Sequence, residues 1–241
     1  MAMIAERFLH KGRWWTRYTD QPYDCWVMAA DLGKRVDFTA ITAIEHTRTP
    51  LADQWDVDEV KAVTRQKVEE RFAVRGLQRL PLNMDYTIQA ERIRALLLGP
   101  PINGQADLVV DDAGVGAPVA DQMITHGKLN PVRVTLTGTG LEVRRHAYRK
   151  YTVPKLTLVS HLDAHLNSGE LIFAEDLALR EVAVDELSNF QRHVTAAGRS
   201  TFEARSGAHD DIVLSAGFGL WWAVEKRRIN RGRVSSVRGL Y

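Results

Sequence analysis

The sequence predicts an α/β fold, a mixed central sheet flanked by helices on both faces, and three observations predict it. The apolar runs "DCWVMAADL" (24–32) and "ADLVVD" (106–111) are short and continuous, as in strands buried on both faces. Strand-like segments come first as a meander and then alternate with segments of helical period. The 241 residues, 45% hydrophobic and 26% charged, supply enough apolar side chains for one buried core, and no Gly/Ser/Pro-rich linker divides them. The expectation is a single domain over 1–241, with its core at about 24–224, an N-terminal arm 1–23 and a basic C-terminal tail 225–241.

In chain order, "FLHKGRWW" in the arm has no clear period. The run 24–32 reads as a central strand. "DFTAITAIEH" (37–46), rich in β-formers, reads as its antiparallel neighbour across a turn at Gly33. "DVDEVKAVTRQKVEERF" (56–72) carries Val57, Val60, Val63 and Val68 near helical spacing and reads as a surface helix. "VRGLQRLPLN" (74–83) is a further strand, weakened by Pro81. "DYTIQAERIRALLLG" (85–99) and "PVADQMITHG" (118–127) are helices with glycine stops, on either side of the strand 106–111. "PVRVTLTG" (131–138) alternates as a strand does. "PKLTLVSHLDAHLNSGELIFA" (154–174) is a helix ending near Gly169 and then a short strand. "REVAVDELSNFQRHVTAAG" (180–198) is an amphipathic helix, and the last helix begins at Ile212.

Composition narrows the chemistry. The one cysteine, Cys25, excludes an intrachain disulfide and a cysteine-rich zinc site, which fits a reducing cytosol. No segment resembles a signal peptide, and no apolar run is long enough to span a bilayer. The net charge of +2 is too small to argue for nucleic acid, but its distribution is uneven. Arg144, Arg145, Arg149, Lys150 and Lys155 form one basic cluster, and Lys226, Arg227, Arg228, Arg231, Arg233 and Arg238 a second. Either suits phosphate contact or a solvated surface. His161 and His165 stand four apart, but no Glu follows His161 as in the metalloprotease pattern.

Acidic residues stand at the ends of buried elements. Asp31 closes one apolar run and Asp111 another, while Asp210 and Asp211 open the last helix in "GAHDDIVLSAGFGLWWA". Adjacent carboxylates resist an apolar neighbourhood. Two readings stay open for the Asp pair: one of them caps the helix, or the acids converge at strand termini around a hard divalent cation. Gly114 and Gly116 after Asp111 allow a sharp strand-to-helix turn.

The set "MAADLGKRVDFTAI", "LVVDDAGVGAPVADQM", "VPKLTLVSHLDAHLNSGELIF", "VDELSNFQ" and "GAHDDIVLSAGFGLWWA" resembles, in order and spacing, the C-terminal nuclease domain of the large terminase subunit of tailed bacteriophages, an RNase H-like fold. The resemblance implies a metal-dependent endonuclease that cuts concatemeric DNA during packaging, using two Mg2+ or Mn2+ ions. Asp31, Asp111, Asp210 and Asp211 match its catalytic, metal-holding acids. Asp112 is an additional acid beside the ligand position, Lys155 matches a lysine suited to phosphate contact, and His209 is placed to orient a carboxylate or water. Arg144, Arg145, Arg149 and Lys150 would flank the DNA groove, and the tail from Lys226 would reach distal DNA, the portal or a motor subunit. No phosphate-binding loop is present, since "GKR" (33–35) and "GKL" (127–129) lack the hydroxyl residue. The implied partners are therefore double-stranded DNA, a separate or excised ATPase motor, the portal and the small terminase subunit, in the bacterial host cytoplasm and without a membrane. A junction-resolvase-like nuclease and a silent DNA- or portal-docking module of the same fold are the alternatives.

Overall fold

A computed structural model describes residues 3–33, 35–114, 116–138, 142–194, 200–204 and 209–236; of 3, 191–194, 200–204, 228 and 230–236 it describes the backbone alone. In chain order the elements are β1 (Met3–His10), β2 (Arg13–Asp20), β3 (Tyr23–Asp31), β4 (Thr39–Asp58), β5 (Val63–Leu80), α1 (Tyr86–Leu98), β6 (Ala106–Asp111), α2 (Gly116–Thr125), β7 (Val132–Thr137), β8 (Arg144–Ala147), β9 (Lys150–Pro154), α3 (Lys155–Asn167), β10 (Leu171–Phe173), α4 (Arg180–Asn189), β11 (Phe190–Val194), β12 (Ser200–Ala204) and α5 (Asp211–Ser236). Among the described residues, ten strands form one mixed sheet in the order β1-β2-β5-β4-β3-β6-β7-β9-β8, with β10 beside β5. The β3–β6–β7–β9 block is parallel, and β3–β4–β5 is antiparallel.

Side chains of a strand alternate between faces, and β3 shows what that does here. Val27 and Ala29 belong to one core with Ile44, Val109, Val134, Leu158 and the apolar half of α5. Met28 and Ala30 belong to the other, with Ile93 and Leu97 of α1 and Val119 and Met123 of α2. Both faces are covered, which is why the run is continuous rather than alternating. Fully buried Phe218 and Leu220 each contribute about 1.5–3 kcal/mol through burial.

Helix α5 is apolar all round in its first half because it is sandwiched. A Cβ on Gly217 would stand 3.2 Å from Cβ of Leu158 on α3, and one on Gly219 would stand 3.0 Å from Cδ1 of Ile44 on the sheet. The glycines in "LSAGFGLWWA" thus let the helix approach both layers closely.

Four expectations change. Residues 56–72 are not a surface helix but the end of β4, a turn and the start of β5. Their valines and Thr64 favour strands, Arg65, Lys67, Glu69 and Arg71 share the exposed side, and exposed cross-strand pairs such as Lys67–Asp56 at 3.5 Å link the two strands. Helix 180–198 stops at Asn189, whose amide donates to the Asp185 carbonyl at 2.9 Å, and Phe190 turns extended into β11. The N-terminal arm contains the β1–β2 hairpin, which extends the sheet through β5. The segment 225–236 continues α5; Lys226 pairs with Asp107 at 2.8 Å and Arg227 with Glu70, while Arg238 lies outside the described residues.

Candidate active site

Strand register sets the acidic site. The parallel pair Ala30↔Val110 places Asp31 and Asp111 next to each other at the carboxyl ends of β3 and β6. Parity with Ala29 and Val109 turns both toward the α5 face. The loop amide of Ala113 donates to Oδ1 of Asp111 at 3.1 Å. Gly116 opens α2 so close that a Cβ there would stand 2.4 Å from the Asp111 carbonyl oxygen. Over these strand ends come the first residue of α3, Lys155, and the residue before α5, Asp210, with Lys155 Nζ 2.9 Å from Asp210 Oδ2.

Asp211 is held differently. Register carries one row across the sheet from Asp31 to Ala40 to Arg79. The Arg79 guanidinium donates to Asp211 Oδ2 at 2.8 Å and also to Oε1 of Glu186 on α4. Arg79 lies 5.0 Å from the Phe38 ring centroid. His209 packs edge-on to Phe38 and places Nδ1 3.6 Å from Asp211 Oδ1. The other Glu186 oxygen accepts the N–H groups of Ile212 and Val213 at 2.9 and 3.1 Å, so Glu186, not Asp210 or Asp211, caps α5.

The electrostatics follow from crowding. Burial, then Asp111, Asp210 and Asp211, push the Asp31 carboxyl well above the usual range, with Lys155 opposing. Burial, aided by Asp112, raises Asp111 to about 6. Burial also raises Asp211 against the pull of Arg79, and brings Glu186 to about 7. Among the described residues no three His, Cys, Asp or Glu side chains already close around one point as ion ligands do. The donor set nevertheless fits a hard divalent cation: all-oxygen, partly buried and carrying more negative charge than Lys155 offsets.

The other expected residues separate by face. Asp112 has the opposite parity and pairs with Arg133 at 2.7 Å and Lys150 at 3.1 Å, away from the α5 face. Arg149 pairs with Asp107 at 3.0 Å beside Trp222, about three turns along α5 from Asp211. Arg144 and Arg145 are exposed on β8, one strand beyond the β9 end that leads into Lys155. His165 is engaged by Glu170 at 2.6 Å. Sequence reasoning missed Arg79 and Glu186. The available signal was Glu186 three residues after buried Ala183, a charge on an apolar helical stripe, where burial demands a partner.

The fold has solved counterparts. The large terminase nuclease of the thermophilic phage G20c, with magnesium bound, superposes with a TM-score of 0.54 over 84% of this chain and 83% of that one, at 22% identity. The same nuclease with cobalt bound gives 0.54 at 21% identity, covering 84% and 85%. The chain has the fold of a large terminase nuclease domain. The Thermus phage P74-26 large terminase nuclease domain gives 0.50 at 21% identity, over 81% and 78% of the two chains. In sequence, the chain is 28% identical over 112 residues to the terminase large subunits of Thermus phage G20c and Thermus virus P23-45, a stretch that is 46% of this chain and 19% of each relative. No family model matches. Among the described residues no helix is long and apolar enough to cross a membrane.

Proposed function

We propose that the chain is a divalent-metal-dependent endonuclease of phage DNA packaging that hydrolyses phosphodiesters of double-stranded DNA. The observation that carries this reading is the meeting of Asp31 and Asp111, from adjacent parallel strand ends, with Asp210 beside Lys155 on one sheet face. The terminase-nuclease fold, and the magnesium and cobalt bound by its counterparts, support it.

In this reading Asp31, Asp111 and Asp210 would hold the cations, with Asp211 fixed beside them by Arg79. Two Mg2+ or Mn2+ ions held there would supply Lewis acidity, lowering the pKa of an attacking water and offsetting charge on the leaving 3′ oxygen. Lys155 offsets charge on a neighbouring phosphate, and His209 restrains Asp211. Arg144 and Arg145 steer the duplex by its backbone, with little base readout. An ATPase motor, the portal and the small terminase subunit complete the assembly.

The test is supercoiled plasmid incubated with the purified chain in Mg2+ or Mn2+, with and without EDTA. Nicked and linear products that EDTA abolishes are expected. No cleavage in either metal overturns the reading in favour of a docking module, and a strong preference for four-way junctions over linear duplex assigns the chain to a resolvase-like nuclease.

A further inference from the structure

The end of α5 is capped from outside. Asp210 stands where an Asp ordinarily caps a helix: its carbonyl accepts the Leu214 N–H at 2.8 Å, the first bond of α5. From that position its carboxylate would normally fold back onto the second and third helical N–H groups. Those groups, of Ile212 and Val213, are instead taken by one oxygen of Glu186, a buried side chain of α4. The other Glu186 oxygen receives Arg79, which also holds Asp211. The Asp210 carboxylate is correspondingly turned to Lys155 at 2.9 Å.

We propose that Glu186 is a positioning residue for the acidic site: by capping α5 from α4, with Arg79 as its counter-ion, it frees Asp210 from the helix end and leaves its carboxylate facing Lys155 and the strand-end acids. This rests on the metal-site reading above. It also explains an otherwise costly arrangement, a carboxylate buried on the apolar stripe of a short helix. Without Glu186 the vacant N–H groups would draw Asp210 back to the cap.

Mn2+ binding to the full chain, measured by titration calorimetry and by the spin resonance of free Mn2+, tests it in a double-mutant cycle. Glu186→Ala is expected to weaken binding by about 10-fold or more, as loss of a ligand-orienting partner does. In the Asp210→Asn background the same substitution should cost nothing further, because its effect runs through Asp210. Equal losses in both backgrounds overturn the proposal while leaving the metal site standing. In the Arg79→Ala background, where the other side-chain oxygen has no guanidinium to lose, Glu186→Gln keeps an acceptor oxygen for the two N–H groups and is expected to bind within about threefold of Arg79→Ala alone. A loss of about tenfold or more there overturns the proposal even if the alanine variant does not fold. A wild-type chain that binds no Mn2+ overturns this inference and the metal-site reading together.

Discussion

Nζ of Lys155 stands 2.9 Å from Oδ2 of Asp210, with the first residue of one helix facing the residue that precedes another. The ammonium opposes the charge crowding at Asp31, so a cation entering the proposed site would compete with it for Asp210. Lys155→Gln is therefore expected to lower cleavage roughly 10²-fold, the scale for losing one charge-stabilising group at a reacting centre. Mn2+ affinity should stay level or rise. A tenfold fall in Mn2+ affinity would show instead that Lys155 organises the carboxylates.

A second charged cluster, around Glu70, bears on acid stability. Glu70 bonds to His46 at 2.8 Å and is paired with Arg48 and Arg227. Burial alone would raise Glu70, but these partners hold it at about 2, below its ordinary 4.5. A depressed folded pKa gives stability that is full above the ordinary value and lost as pH falls from about 4.5 towards 2. Glu70→Gln should thus cost about 3 kcal/mol at pH 7 and progressively less through that acidic window. Denaturant unfolding across the range checks it; a cost independent of pH would contradict it.

Gly116 has no room for a side chain, since a Cβ would meet the Asp111 carbonyl oxygen at 2.4 Å, whereas Gly114, at φ +50°, faces open space. Gly116→Ala should destabilise the chain by about 1–3 kcal/mol and weaken metal binding by displacing Asp111. Gly114→Asn, which tolerates the left-handed region, should be nearly neutral in both. Thermal melting with and without Mg2+ separates the two.

Arg144 and Arg145 are exposed on β8. Replacing both by Ala is expected to weaken duplex binding and flatten its salt dependence by up to about two phosphate contacts, without loss of stability. Arg149→Ala should behave oppositely, since its side chain is engaged by Asp107 and Trp222. Loss of stability without loss of DNA affinity is expected, and the reverse pattern would move the DNA path to that end of α5.

The sequence made the sheet legible wherever a strand was buried on both faces, as at 24–32 and 106–111, because no polar position interrupts such a run. It misled at 56–72, where Gln66 and Glu70 put polar groups on the inner side of β5 and erased the period of two. The acids at strand ends were legible as Asp31 and Asp111, since a carboxylate closing an apolar run needs a reason. Sorting Asp111 from Asp112 required parity, which only register supplies. The bond from Arg79 to Asp211 spans 132 positions and the cap from Glu186 to Ile212 spans 26, and no local pattern announces either.

Plasmid cleavage by wild type and Asp31→Asn in parallel, each also melted with and without Mg2+ at pH 8, bears most directly on the acidic centre. The Asp31→Asn chain is expected to lose cleavage and the Mg2+-induced rise in Tm. Its metal-free Tm should climb, by about 2–4 °C for each kcal/mol of relieved repulsion. Cleavage at the wild-type rate, with Mg2+ stabilisation intact, would contradict the assignment of Asp31 to a metal-dependent nuclease centre.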